Sequence, residues 1–364
     1  MKITRLRTKV VNVPFRPILT QVGQIDFTTC VLCYLETDQA GLVGEGLIHA
    51  VSGRRIAVLD EMVRSLEPLV VGLDLAQGGK LNADSWHALN FLGNDGITVH
   101  GLSAVESALW DVRAKACGLN VAHMIGACRS RLPVYASGGL WFGGTLDSLQ
   151  REAGALVAQG FAAIKLRLAP GDSHDSVARV RAVREAIGPN IGLMVDLAQQ
   201  LTRKQAIRLG RMLEEFDLEW FEEPIACHDH EGEAEIRMSL ETPLASGENV
   251  HTHRGILRML QAGAADVLMP DLQRMGGPSE FLKAGHLCEA FDIPVSSHLF
   301  TEMSLPLLAT MRNATYLEHM PWFEPVYGEA LALDADGCAA VPITPGWGVS
   351  FDDTAIERLI RRQA

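Results

Sequence analysis

Basic residues are scarce in this sequence. Lys and Arg total 32 against 44 Asp and Glu, giving a formal net charge of -12 over 364 residues. A nucleic-acid partner is therefore not expected, because binding to a phosphate backbone rests on clustered Lys and Arg. An anionic small molecule stays open, since a bound cation reverses a local field. Long apolar runs are missing too. No stretch approaches the ~20 residues needed to span a bilayer, and Met1-Lys2-Ile3-Thr4-Arg5-Leu6-Arg7 lacks the apolar core of a signal peptide. A cytoplasmic protein with no membrane partner is expected. The seven Cys are scattered and odd in number, which argues against a disulfide framework. Cys30 and Cys33 lie in the strand-like run Thr28 to Leu35. A three-residue step on a strand sends them to opposite faces, so they read as core thiols rather than a redox or zinc pair.

What is present is a two-part pattern. Ile3 to Val13 and Thr28 to Leu35 are β-rich, and Pro14 to Asp26 reads as a loop between them. Residues 55–125 read as helices, among them an amphipathic run from Ile56 and the segment Ala104 to Cys117, stopped by Gly118. The first third is thus an α+β unit. From residue 133 short apolar strands alternate with amphipathic helices such as Ser176 to Ile187 and Lys204 to Glu215. Eight strand candidates end near Ser137, Arg167, Asp196, Glu222, Gly247, Pro270, Ser297 and Glu318. Eight such repeats predict a (β/α)8 TIM barrel. An open doubly wound sheet fits less well, because the first turn lacks the Gly-rich fingerprint. The expected layout is an α+β capping domain over residues 1–125, a barrel over 126–335, and a segment 336–364 that returns to the cap.

In such a barrel the active site lies at the C-terminal ends of the strands. Strand two ends in Lys165-Leu166-Arg167, strand three at Asp196 and strand four at Glu222. Strand five is followed by Glu248, strand six by Asp271 and strand seven by His298, and strand eight ends at Glu318. The step from Asp196 to Glu222 equals the step from Glu222 to Glu248, one βα unit. Three carboxylates converging there repel one another. A hard divalent cation resolves the repulsion, and all-oxygen ligands favour Mg2+ over Zn2+. Asp271 beside His298 is the arrangement of a general base, with the carboxylate fixing the imidazole tautomer. Lys165 and Arg167 supply positive charge on the other flank. A metal plus a Lys can hold a carboxylate and stabilise the enolate formed when its α-proton leaves.

At these residues the chain resembles the enolase superfamily and, within it, the mandelate racemase subgroup. The resemblance spans the chain. It includes Ala108-Leu109-Trp110-Asp111, the run Ser296-Ser297-His298-Leu299-Phe300 and the late Pro345-Gly346-Trp347-Gly348-Val349. It implies the modified, enolase-type barrel. It also implies that Asp196, Glu222 and Glu248 are the Mg2+ ligands, and that Asp271 and His298 are the subgroup's dyad. Glu318 corresponds to the acid that hydrogen-bonds the enolate, and Lys165 to the first Lys of a Lys-x-Lys motif. A small carboxylate substrate and a homo-oligomer are the implied partners. Two positions depart from the pattern. Arg167 replaces the second Lys, and Arg is a poor base at neutral pH. Asp196-Leu197-Ala198 lacks the Asn often found two residues after the Asp.

Dehydration of an acid sugar to a 2-keto-3-deoxy acid is therefore the expected reaction, with His298 able to serve both the proton abstraction and the departure of the β-hydroxyl. A racemase or epimerase of a 2-hydroxy acid is the alternative, and it needs Lys165 or Arg167 as a second base. A metallohydrolase would call for His-x-His at the end of strand one, where Ser137-Gly138-Gly139 stands. For substrate contacts the candidates are Phe15, Arg16, Ile18, Thr20 and Gln21 in the first cap loop, His49, Val51 and Ser52 in the second, and Leu140 and Trp141 after strand one. Arg274 is a candidate partner of a ligand carboxylate. Glu223 is expected on the opposite side of its strand or in loop support. The pairs His228/His230 and His251/His253 are candidates for the site rim or a second metal.

Overall fold

The computed structural model describes residues 1–361; the last three residues of the predicted C-terminal segment lie outside the described residues. The chain opens with three antiparallel strands, β1 (Ile3–Thr20), β2 (Gly23–Thr37) and β3 (Val43–Val51), in the order β1-β2-β3. Pro14 to Asp26 is not a loop. Pairing continues through Val13↔Thr28 and Pro14↔Phe27, breaks in a bulge between Pro14 and Ile18, and resumes from Ile18↔Ile25 to Thr20↔Gly23. Pro14 and Pro17 suggest a loop because Pro lacks a ladder N–H. β1 pairs on one side alone, and an edge strand with a bulge tolerates that loss. The result is a long hairpin whose tip turns at Gly23, at φ 105.

The 20-residue helix Ile97–Ala116 packs on this sheet. Two glycines of β3 let it come close. A Cβ at Gly46 would sit 2.3 Å from the Ala104 carbonyl oxygen, and one at Gly44 would sit 2.1 Å from that of Ala108. Cys30 and Cys33 are both fully buried on opposite faces of β2. Cys33 joins the cap's own core, whereas Cys30 joins the core shared with the barrel. Burial pushes both thiols far above their usual range, so neither is poised to react.

The barrel strands are β4 (Arg131–Ala136), β5 (Ala163–Arg167), β6 (Gly192–Asp196), β7 (Trp220–Glu222), β8 (Leu244–Ser246), β9 (Val267–Leu268) and β10 (Leu317–His319). They pair in parallel in the order β10-β4-β5-β6-β7-β8-β9. The expected seventh strand, Ile293-Pro294-Val295-Ser296, is reduced to bridges from Val295 to Leu268 and Ala314. These close the ring through Ser296 N to Leu268 O (3.0 Å) and Thr315 N to Val295 O (2.8 Å). Short β11 (Cys338–Ala340) runs antiparallel beside β4. The C-terminal segment lies against the cap helix, where the Trp347 amide donates to Asp111 (3.0 Å) and its indole to the Ser107 carbonyl (3.2 Å).

Period-two alternation sorts the barrel interior into layers. Tyr135, Ala163, Met194, Trp220, Ala245, Val267 and Met269 form one apolar cluster. Two residues further along three of these strands stand Lys165, Asp196 and Glu222. The register places Arg167 beside Asp196 and Asp196 beside Glu222. The same alternation that fills the barrel floor therefore lifts the charged side chains to its mouth.

Candidate active site

Lys165 is 1% exposed and sits at the centre of the charged layer. Its Nζ lies 2.7 Å from Glu222 Oε1, 3.1 Å from Glu318 Oε1 and 3.6 Å from Asp196 Oδ2. Burial alone would lower its pKa. Glu222 and Glu318 outweigh that and hold the ammonium well above its ordinary value, so Lys165 is a cation. Glu318 is the converse. Burial pushes its carboxyl up, but Lys165, His298, the Ser137 hydroxyl and the Leu299 amide (2.5 Å) hold it below the usual carboxylate range. Glu318 is therefore an anion paired to Lys165 and not a free acid.

The carboxylates of Asp196, Glu222 and Glu248 share the mouth. Each turns to a positive or donor partner. Glu222 accepts from Lys165 and from the Trp220 indole (2.9 Å), and Asp196 Oδ2 faces Arg167 Nε at 3.5 Å. Glu248 Oε2 faces His298 Nε2 at 3.3 Å. Among the described residues no three His, Cys, Asp or Glu side chains form a closed ion cage. The donor chemistry nevertheless fits a hard divalent cation. Burial first, then Asp196, Glu248 and Glu318, push Glu222 up to about 8 against the pull of Lys165. A shared positive charge would relieve this repulsion, and all three groups offer oxygen.

His298 and Asp271 are joined. His298 Nδ1 lies 2.7 Å from Asp271 Oδ2, and a parallel bridge aligns their backbones. Asp271 also caps the short helix that follows it by accepting from the Arg274 amide (2.8 Å). Burial would raise Asp271, but Arg274 and His298 bring it down to about 2. Burial would lower His298, but Glu248 and Asp271 raise it to about 9. Arg274, expected to pair with a ligand carboxylate, pairs instead with Asp271 (3.5 Å) and donates to the Glu248 carbonyl (3.1 Å). Left-handed backbone clusters beside the site, at Ala198 and Gln199, at Glu223, and at Leu299 and Phe300. Such strain in non-Gly residues persists where surrounding contacts hold it, and it concentrates at functional sites.

Arg167 is fixed from three sides. Nη1 donates to the carbonyls of Ser137 (2.8 Å) and Gly139 (3.4 Å), Nη2 donates to Ser137 Oγ (2.8 Å), and the guanidinium stacks 3.8 Å over Trp141. These contacts use the planar, forked donor set of an Arg side chain, which a Lys at this position could not supply.

A cavity of about 260 Å³ opens above this layer. At ~30 Å³ for each water, it holds the equivalent of about nine waters. Lys165, Arg167, Asp196, Glu248, Arg274 and His298 line it; Glu222, Asp271 and Glu318 sit behind them. Of the expected loop contacts, Thr20, Gln21, His49, Val51 and Trp141 line the cavity, whereas Phe15, Arg16, Ile18, Ser52 and Leu140 do not. Phe15 instead stacks behind the wall on Trp322.

Of the two placements expected for Glu223, loop support holds and the far side of the strand does not. At φ 37 it turns into the cavity wall, where its Oε2 accepts from Gln199 (2.6 Å) and Asn249 (2.9 Å) while its Oε1 has no hydrogen-bond partner. The wall also includes Val22, Ile25, Gln199, Asn249, Met320 and Trp322, which sequence reasoning missed. Met320 and Trp322 follow the end of strand eight, so extending the strand-end rule a few residues finds them. The His-x-His pairs stay out of the cavity. His230 meets Glu233, His251 meets Asp95 and His100, and His253 meets Glu280.

Residues 148–355 match the enolase C-terminal domain-like family, and residues 3–126 match the mandelate racemase/muconate lactonizing enzyme N-terminal domain. The chain belongs to the enolase superfamily, in its mandelate racemase subgroup. An L-talarate/galactarate dehydratase of Salmonella typhimurium is 34% identical over 264 residues, which cover 72% of this chain and 66% of that one. A 3,6-anhydro-alpha-L-galactonate cycloisomerase of Streptomyces coelicolor is 32% identical over 98% of this chain and 99% of its own. The crystal structure of an L-talarate dehydratase from Polaromonas sp. JS666, complexed with Mg and L-glucarate, superposes with a TM-score of 0.90 at 30% identity, covering 98% of this chain and 97% of the other. This superfamily enzyme thus shares its fold with Mg-binding relatives. Among its described residues no helix is long and apolar enough to cross a membrane.

Proposed function

We propose that this enzyme removes the α-proton of an acid-sugar carboxylate and expels the β-hydroxyl, giving a 2-keto-3-deoxy acid. The observation that carries the reading is the asymmetry of the mouth. On one flank His298, oriented by Asp271, presents Nε2 to the cavity. On the other flank Lys165 is held as a cation by Glu222 and Glu318, and the Arg167 guanidinium is fixed in place by Ser137. One base faces two positive groups. That arrangement suits an elimination on a single face and lacks the second base that racemisation requires.

Asp196, Glu222 and Glu248 are the residues that would hold Mg2+. When bound, the ion would supply the positive charge that makes an α-proton beside a carboxylate removable at moderate pH. Lys165 and Arg167 place further positive charge where the enolate's negative charge develops. In its neutral form, populated as pH approaches the raised pKa of about 9, His298 takes the α-proton at Nε2, and the same nitrogen returns a proton to the departing hydroxyl as water leaves. Asp271 keeps Nδ1 protonated so that Nε2 is the nitrogen free to act. Glu318 holds Lys165 in place from behind.

Incubation with Mg2+ and a panel of aldonic and aldaric acids, assayed for 2-keto acids and for deuterium uptake from D2O, tests this. Wild type is expected to form a keto acid from at least one acid, and His298→Asn to lose both signals. Inversion at the α-carbon without loss of water would replace the dehydratase reading with a racemase.

A further inference from the structure

Every cationic side chain lining the cavity, among the described residues, already faces an anion or a carbonyl. Lys165 faces Glu222 and Glu318, and Arg167 faces Ser137, Gly139 and Asp196. Arg274 faces Asp271 and the Glu248 carbonyl, and His298 sits between Asp271 and Glu248. All four belong to the barrel mouth. The cap's contribution is different. Its hairpin tip supplies Thr20, Gln21, Val22 and Ile25, and β3 supplies His49 and Val51. Thr20 spends its hydroxyl on the turn, donating to the Gly23 carbonyl (2.9 Å). His49 is half-buried against Phe300, Trp322 and Phe323 and accepts from or donates to Thr28 at 3.0 Å. Burial holds its pKa down at about 3, so it presents no charge. The cap's Arg16, Arg54 and Arg55 are exposed and do not line the cavity.

The remaining wall carries no cation: the Gln199 and Asn249 amides donate to Glu223, and beside them stands a fixed aromatic column. Phe15 stacks on Trp322 with centroids 5.2 Å apart and planes 7° apart. Trp322 lies 6.3 Å from Trp141 at 8°, and Trp141 carries the Arg167 guanidinium. This column runs from the cap hairpin to the barrel, and it cannot swing aside without uncovering Arg167. Aromatic faces carry partial negative charge and offer a carboxylate no donor. Glu223, Glu248 and Asp196 line the same space.

We infer that the enzyme takes a monocarboxylate whose far end is uncharged, seated between the hairpin tip and the Trp141–Trp322 wall, and that it discriminates against acids with a carboxylate at each end. The assignment rests on the α-proton chemistry proposed above. One carboxylate meets the positive charge of the mouth. A second would be buried against rings and like charges with no cation opposite it, a situation that binding sites reject strongly.

The test compares matched six-carbon pairs, gluconate with glucarate and galactonate with galactarate, in the presence of Mg2+. The readouts are keto-acid formation and α-deuterium uptake. The better monoacid is expected to exceed the better diacid by about 100-fold or more in kcat/KM. Val22→Arg places a cation at the hairpin tip. Val22 is 64% exposed, so the variant keeps the core intact. It is expected to narrow the ratio at least tenfold, as a stepwise rise in diacid turnover. Diacids turning over as well as or better than monoacids in wild type would overturn the inference and leave the α-proton chemistry standing. So would a folded Val22→Arg enzyme with an unchanged ratio. No deuterium uptake with any acid would overturn both readings.

Discussion

Replacing Asp271 with Asn separates the orienting role of this carboxylate from its structural one. Asn caps helices as well as Asp does, so the bond from the Arg274 amide to Oδ1, 2.8 Å in the wild type, is retained. The other oxygen, 2.7 Å from His298 Nδ1, becomes an NH2 group. An NH2 cannot accept a proton from Nδ1, so the imidazole moves its hydrogen to Nε2 and accepts from the amide through Nδ1. Nε2, the nitrogen facing the cavity, then has no lone pair for the substrate. A base held in the wrong tautomer with its side chain still in place loses about 10^4-fold in turnover. At 1.36 kcal/mol for each factor of ten, that is about 5 kcal/mol of lost barrier reduction. Two measurements check this. Nitrogen NMR of His298, recorded without substrate at a pH above its raised pKa of about 9, should show Nδ1–H in the wild type and Nε2–H in D271N. The α-deuterium exchange rate should fall by about 10^3–10^4-fold with little change in KM. Exchange within tenfold of wild type, or an unchanged tautomer, would refute the assignment of Asp271 as the residue that orients the base.

Two further outcomes concern the frame that holds the site. Glu106, in the cap helix, is buried against the barrel helix Pro278–Ala290 and accepts from the Ser279 amide (3.1 Å). Burial raises its pKa from 4.5 to about 7. The cost of ionising it in the folded state is absent below the unfolded pKa, grows as pH rises, and is complete above 7. At 1.36 kcal/mol per unit the upper bound is about 3 kcal/mol. Glu106→Gln should therefore gain thermal stability relative to wild type as pH rises from 5 to 8, read as the difference in Tm, and a difference independent of pH would contradict this. Gly46→Ala should lower Tm by several degrees, because its Cβ would meet the Ala104 carbonyl oxygen at 2.3 Å and force the helix off the sheet. Overpacking of this kind costs about 1–3 kcal/mol, so an unchanged Tm would show that the cap relaxes more freely than its packing indicates.

The sequence by itself determined the barrel and its charged rim, because both are written in local period. An apolar strand that ends in an ionisable residue carries its own register: Met194 and Trp220 face inward two residues before Asp196 and Glu222, whatever the rest of the chain does. Asp271 and His298 were legible for the same reason. The hairpin was not. Pro14 and Pro17 are loop-like in one dimension, and only the absence of a neighbour on the outer side of β1 makes them acceptable in a strand. Glu223 was legible only as one of two placements, because strand alternation stops where the backbone turns left-handed, and φ 37 sends it into the loop contacts at the cavity wall. The seventh strand faded to bridges around Val295. Trp322 and Met320 reach the site through loop geometry that no period encodes. Arg167 shows the division most plainly. Its identity announced that a Lys was missing, but what replaced the Lys's role depended on the neighbouring strand end. The carbonyls of Ser137 and Gly139 and the ring of Trp141 come from elsewhere in the chain, and they fix the guanidinium in place only once β4 and β5 lie side by side.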